Sequence, residues 1–206
     1  YQTPAPSPPG PEVDALAETV RGTEHGLVVA GRLDSAAAAD ATRRLATHLG
    51  WPPIPDLTSR PRRGGREQPE QVPYGDLVLT SAAFREGHPP RAVLQVGGRF
   101  ASKRLRLFLR DSAPEVWAVV RPDPSRIDPD HRVTHHVEAA VPAAVDALVA
   151  RLEEGPRGTT WRDDWAGASE RVGAVVQAPV QEADALTDPL LAALLTEEMP
   201  SEQRLV

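Results

Sequence analysis

"AVLQVGGRFASKRLRLFLR", Ala92 to Arg110, decides the fold. Its first residues form a short, almost continuous apolar run that ends on the glycine pair Gly97-Gly98. Such a run is expected of a parallel strand covered on both faces, which has no polar side to alternate with. Ser102 can cap a helix, and the spacing predicts one over 102–111. A buried strand running through a glycine turn into a helix is half of a strand–helix–strand unit, so the rest of the chain should repeat the pattern.

It does so on both sides. "HGLVVAG" (25–31) is a second apolar run ending in glycine, preceded by helical spacing over 12–21. Asp34 or Ser35 can cap a helix running to about His48, which Gly50 closes. "PPIPD" (52–56) is a short strand candidate, although prolines suit only the edge of a sheet. A polar loop covers 60–70, and a helix is predicted over 74–84. "EVWAVV" (115–120) and "RVTHHVEA" (132–139) read as strands, and 142–154 as a helix. The fold expected is α/β: a doubly wound, mainly parallel sheet of five to six strands with helices on both faces.

Three regions are expected: a proline-rich linker over 1–11, an α/β domain over 12–156, and a helical segment over 157–206, with helices at 158–180 and 183–198. The closing "SEQRLV" resembles the start of another strand, so the chain reads as a piece of a larger protein.

Composition narrows the chemistry. The 206 residues carry a net charge of −6, spread along the chain, with no basic face of the kind a nucleic-acid duplex needs. No apolar run is long enough for a membrane-spanning helix. Cysteine is absent, which removes disulfides, thiolate metal sites and cysteine nucleophiles and fits a reducing cytoplasm.

By the rule for doubly wound sheets, a ligand site lies beyond the carboxyl ends of the strands. Three turns matter: 31–34, 56–66 and 97–104. The first lacks the G-x-G-x-x-G fingerprint of dinucleotide binding, and no phosphate-binding loop occurs elsewhere. Gly97 and Gly98 are accounted for by a tight turn and close packing.

Lys103 is the sole lysine among 23 basic residues, and Arg104 comes directly after it. Both fall in the first turn of the predicted helix, where free N–H groups and the helix dipole favour an anion. Two cations there disfavour the helix slightly, so an anionic ligand is one explanation and a solvated helix end the other. An ammonium is a compact, rotatable charge, whereas a guanidinium grips a carboxylate with two prongs, so a site can need one of each. Lys103 and Arg104 are therefore candidate substrate-binding residues. Arg32, Arg99 and Ser102 are secondary candidates, for the same site or for regulation.

Other groups carry less. His135 and His136 are adjacent, so on a strand they point to opposite faces and do not share a ligand. Asp123, Asp128 and Asp130 alternate with prolines and suit turns. Arg60, Arg62, Arg63 and Arg66, with Gly64 and Gly65, form either a regulatory anion-binding loop or a solvated one. No catalytic triad or carboxylate pair stands out, so neither catalytic residues nor a metal site are expected in this chain.

Five segments occur in a familiar order: "LVVAGR" (27–32), "LGWPPIPD" (49–56), "VLQVGGRFASKRLRLFL" (93–109), "EVWAVV" (115–120) and "RIDPDHR" (126–132). Together they resemble the central domain of the SEPHCHC synthase family, thiamine-diphosphate enzymes of menaquinone biosynthesis. The resemblance covers about residues 12–206. It implies a transferase that decarboxylates 2-oxoglutarate and adds the remaining unit to isochorismate. It also implies that thiamine diphosphate and Mg²⁺ are held by the two outer domains, and that the assembly is a homodimer or homotetramer. The central domain resembles FAD- and NAD-binding domains without holding either. Its implied contribution is the lysine–arginine pair of a "KRL" motif, matched here by Lys103 and Arg104, which helps hold substrate carboxylates. Ala101 and Phe108 depart from the family pattern, in which a hydroxyl or small residue and a tryptophan are common. Two other readings remain open: the central domain of an acetolactate synthase type of enzyme, which can hold FAD, and a free-standing module that binds a small molecule.

Overall fold

A computed structural model describes residues 10–56, 58–59, 72–152, 159–181, 185, 187–188 and 190–191. Five strands form one parallel sheet: β1 (Gly26–Ala30), β2 (Pro53–Pro55), β3 (Ala92–Val96), β4 (Val116–Arg121) and β5 (His135–Glu138), in the order β2-β1-β3-β4-β5. The helices are α1 (Gly10–Val20), α2 (Ala36–Leu49), α3 (Gly75–Val78), α4 (Ala82–Gly87), α5 (Lys103–Ser112), α6 (Val141–Val149) and α7 (Thr160–Gln181). The doubly wound α/β architecture read from the sequence is the one observed.

The three central strands are buried along their whole length, which explains their almost continuous apolar runs. Along each, successive side chains turn to opposite faces. Val28, Ala30, Leu94, Val96, Ala118, Val120 and Val137 face α1, α2 and α6. Leu27, Val29, Val93, Trp117 and Val119 face the other way, onto Leu105, Phe108 and Leu109 of α5 and Trp161, Trp165 and Ala168 of α7. Gln95 lies on that second face, and hydrogen bonds offset the cost of burying its amide. Its amide donates to Gly98 O (3.2 Å), and its carbonyl accepts from Trp117 Nε1 (3.2 Å).

The prolines of β2 fit because β2 is an edge. Asp56 N–H donates inward to Ala30 O (2.9 Å), while Pro53 O turns outward and accepts from Val72 N–H (3.0 Å). The missing N–H groups of Pro53 and Pro55 therefore cost no bond to β1.

Ser35, not Asp34, caps α2, its Oγ accepting from Ala38 N–H (3.1 Å). Gly50 ends that helix in the left-handed conformation (φ 68°). Helix α1 starts at Gly10, with Pro11 in its first turn, where the lack of an N–H is tolerated. The single helix expected over 74–84 is instead two short ones. Ser81 caps the second by accepting from Phe84 N–H (3.2 Å), and Thr80 Oγ1 bonds back to Leu77 O (2.7 Å). Hydroxyl groups thus replace helical bonds at the break. Of the linker expected over 1–11, Gly10 and Pro11 belong instead to α1 and the rest lies outside the described residues, as do the arginines at 60–66 and most of the helix expected at 183–198.

Candidate functional site

The strand order puts the topological switch point between β1 and β3, where doubly wound folds leave a crevice for a ligand. Here two backbone turns close it. Gly31 N–H donates to Val96 O (3.0 Å), Arg32 N–H to Arg99 O (3.3 Å) and Gly98 N–H to Arg32 O (2.9 Å). The approach requires glycine. A Cβ on Gly31 would lie 2.1 Å from Gly98 O; one on Gly97, which has φ +83°, would lie 2.5 Å from Arg32 O. A pyrophosphate seated in this seam would have to displace those bonds. Arg32 and Arg99 emerge from it as exposed side chains. The Arg32–Asp34 approach of 3.9 Å, with both partners largely exposed, is weak.

Beside the seam, the start of α5 is held by two carboxylates. Asp56, at the carboxyl end of β2, is 3% exposed. Its Oδ1 accepts from Ser102 N–H (3.1 Å), and its Oδ2 accepts from Thr58 N–H (3.0 Å) and Thr58 Oγ1 (2.7 Å). Burial alone would raise its pKa; the N–H groups of Ala101, Thr58 and Ser102 and the Thr58 hydroxyl outweigh burial and hold it below the usual value. Asp76, on α3, is the second. Its Oδ1 accepts from the Ser102 hydroxyl, its Oδ2 accepts from Arg104 Nη1, and its backbone carbonyl accepts from the same Nη1 (3.0 Å). Ser102 Oγ in turn accepts from Leu105 N–H (2.9 Å), the capping role its position predicts.

The two adjacent cations thus have different surroundings. Arg104 is tethered to Asp76, with 41% of its side chain exposed. Lys103 is exposed and, among the described residues, its ammonium has no hydrogen-bonding or ionic partner. Arg106 on the same helix is paired with Asp130 (2.8 Å). Among the described residues the α5 mouth therefore presents an unpartnered ammonium beside a guanidinium fixed on one side. Asp56 and Asp76 were missed as site residues in the sequence. A carboxylate at a strand's carboxyl end was the available signal for Asp56, and nothing local distinguishes Asp76.

Asp123 and Asp128 behave as turn residues, whereas Asp130 pairs with Arg106. Asp123 Oδ1 accepts from Ser125 N–H (2.7 Å), and Asp128 Oδ2 accepts from Val133 N–H (2.8 Å). Among the described residues no three His, Asp or Glu side chains gather as a cation site. The described residues thus offer no carboxylate cluster of the kind that Mg²⁺ requires.

Residues 12–206 match the family described as the middle domain of thiamine pyrophosphate enzymes. The chain belongs to that family. It is 96% identical over all 206 residues to the 2-succinyl-5-enolpyruvyl-6-hydroxy-3-cyclohexene-1-carboxylate synthase of Salinibacter ruber, covering 35% of that protein. It is 38% identical over its whole length to the protein of the same name from Rubrobacter xylanophilus, covering 36% of it. The chain thus spans about a third of the length of these curated relatives. The resemblance read from the five segments is confirmed by these likenesses. Among solved structures, a Mycobacterium smegmatis protein described as a thiamin diphosphate-dependent enzyme superposes with a TM-score of 0.51. That match has 17% identity and covers 75% of this chain and 30% of that one, a likeness of fold.

Proposed function

We propose that this chain is the central domain of a SEPHCHC synthase of menaquinone biosynthesis, and that its part in the reaction is to hold acidic substrate through Lys103 and Arg104. The assignment of reaction rests on one observation, the 96% identity along the entire chain to the Salinibacter ruber protein of that name. The reaction implied is decarboxylation of 2-oxoglutarate and transfer of the four-carbon remainder to isochorismate. Thiamine diphosphate, when bound with Mg²⁺ by the rest of the protein, supplies the carbanion chemistry. This chain supplies position. Lys103 offers a mobile ammonium and Arg104 an oriented guanidinium to carboxylates, while Arg32 and Arg99 add positive potential beside them. Both substrates carry more than one carboxylate, which suits a paired site.

In this reading the full-length protein is a cytoplasmic homodimer or homotetramer, and the chain by itself does not turn over substrate. The test is the full-length protein with 2-oxoglutarate and isochorismate, its product followed with and without added thiamine diphosphate and Mg²⁺. Cofactor-dependent product is expected from the full-length protein and none from the 206-residue chain. Absence of product from the full-length protein, or product from the chain alone, overturns the reading. The FAD-holding alternative gains nothing from the geometry, because the crevice it would use is closed by the bonds between 31–32 and 96–99.

A further inference from the structure

We infer that Asp76 is a positioning residue for substrate binding, holding the first turn of α5 so that Arg104 presents its free edge beside Lys103. This rests on the reading of Lys103 and Arg104 as substrate-binding residues.

Three bonds converge on Asp76. One carboxylate oxygen takes the Ser102 hydroxyl, the other takes Arg104 Nη1, and the backbone carbonyl takes Nη1 again. The Ser102 hydroxyl is fixed from both sides, since it also accepts from Leu105 N–H. Asp76 therefore joins the capping residue of α5 to the second residue of its first turn. Its own place is set by α3, whose Gly75 and Val78 are buried and whose continuation, Leu79, is fully buried against the second face of the sheet.

The geometry at Arg104 leaves one edge of the side chain open to a ligand. A guanidinium has five N–H donors in a rigid plane. Only Nη1 is bonded among the described residues, so the edge formed by Nε and Nη2 is open. That edge is the one that matches a carboxylate with two parallel bonds. With Nη1 held twice by Asp76, the plane is set before a ligand arrives, and less freedom is lost on binding. Lys103, untethered, supplies the charge that Arg104 has partly shared with Asp76.

The test uses steady-state kinetics of the full-length enzyme, with 2-oxoglutarate and isochorismate varied separately, for Asp76→Asn, Arg104→Ala, Lys103→Ala and the Asp76→Asn/Arg104→Ala double variant. Asp76→Asn is expected to raise KM for one of the acids by about tenfold, with a much smaller change in kcat. In the Arg104→Ala background the same change should have no further effect, because the residue acts through Arg104. A merely structural Asp76 would reduce the active fraction, lowering kcat with KM intact, and would add to Arg104→Ala; either result overturns the proposal. So does a lowered KM, which would make Asp76 a competitor for Arg104. If Asp76→Asn does not fold, Asp76→Glu moves the carboxylate outward and should give the same KM increase; an unchanged KM there overturns the proposal. Wild-type kinetics in both Arg104→Ala and Lys103→Ala would instead remove the substrate-binding reading itself, and this inference with it. Wild-type KM in Asp76→Asn with a raised KM in Arg104→Ala removes only the inference.

Discussion

The seam between β1 and β3 and the mouth of α5 both lie at the carboxyl ends of the strands, yet they are built differently. The seam is backbone against backbone: carbonyls of Gly98, Arg99 and Arg32 meet N–H groups or occupy the space a Cβ would need. The α5 mouth is side chain against backbone, with Asp56 and Asp76 gripping the helix start. The seam has no room for side-chain variation and closes the crevice that doubly wound sheets otherwise offer. Among the described residues the mouth leaves Lys103 without a partner and Arg104 bonded through Nη1 alone. The difference teaches how a nucleotide-binding type of scaffold can be turned to another use. With that crevice closed by glycine turns, the cations proposed to bind substrate stand one turn further on, at the first residues of α5.

The largest expected effect is at the seam. Gly31→Ala places a methyl carbon 2.1 Å from the Gly98 carbonyl oxygen; the methyl is fixed rigidly to its own main chain and the oxygen belongs to the main chain of the other turn, so one turn has to move. A loss of about 4 kcal/mol or more is expected from such a backbone conflict, enough to abolish folding in many domains. Urea unfolding measures it. A loss under about 1 kcal/mol would show that the seam yields easily, and the contrast with the mouth would collapse.

At the mouth the large effect should be on kinetics rather than on folding. Lys103→Ala removes an exposed side chain with no partner among the described residues, so stability should stay within about 0.5 kcal/mol. In the full-length enzyme the loss of a charge-assisted bond to substrate, on the order of 1.5–3 kcal/mol, should lower kcat/KM by about one to two decades. Unchanged kcat/KM in that variant would leave the free ammonium without a role.

These two regions were not equally legible in the sequence. β1, β3 and β4 could be read because burial on both faces leaves mainly apolar residues, with Gln95 and Arg121 as the exceptions, and the same logic placed Gly31 and Gly97 at turns. Lys103 stood out because it is the sole lysine, and Ser102 because a cap must precede a helix. The carboxylates could not be read this way. Asp56 reaches Ser102 across 46 positions and Asp76 reaches it across 26, and neither pairing leaves a periodic trace. The break between α3 and α4 was hidden for a related reason: the apolar spacing continues through Leu79 while the hydroxyls of Thr80 and Ser81 take over the hydrogen bonding.

Asp56 sharpens the comparison through pH. Asp56→Asn keeps the shape but loses one charged acceptor among the Ala101, Ser102 and Thr58 donors, and should cost about 1–3 kcal/mol near neutrality. The folded-state pKa of Asp56 is depressed. As the medium is acidified the unfolded chain therefore takes up this proton first, and the contribution of Asp56, present above about pH 4, is lost as pH falls through the folded value. The gap between wild type and Asp56→Asn should accordingly narrow below about pH 4 in urea unfolding at stepped pH. A gap that stays constant into acid would mean that the carboxylate is not held in its charged form by those donors.

The smallest expected effect is at the cap. Ser102→Ala removes the acceptor for Leu105 N–H and the donor to Asp76, while leaving the Ser102 N–H to Asp56 contact intact. Loss of an N-cap costs about 1 kcal/mol. The helix start should survive because Asp56 still binds the backbone there, so Lys103 stays in place, whereas Asp76 loses one of its two links to α5. If Ser102→Ala costs far more than a cap should, the two carboxylates do not act independently, and the mouth is as cooperative as the seam. If it costs about the expected amount, the α5 mouth is held by separable bonds, each of which can be tuned without disturbing the closed crevice beside it.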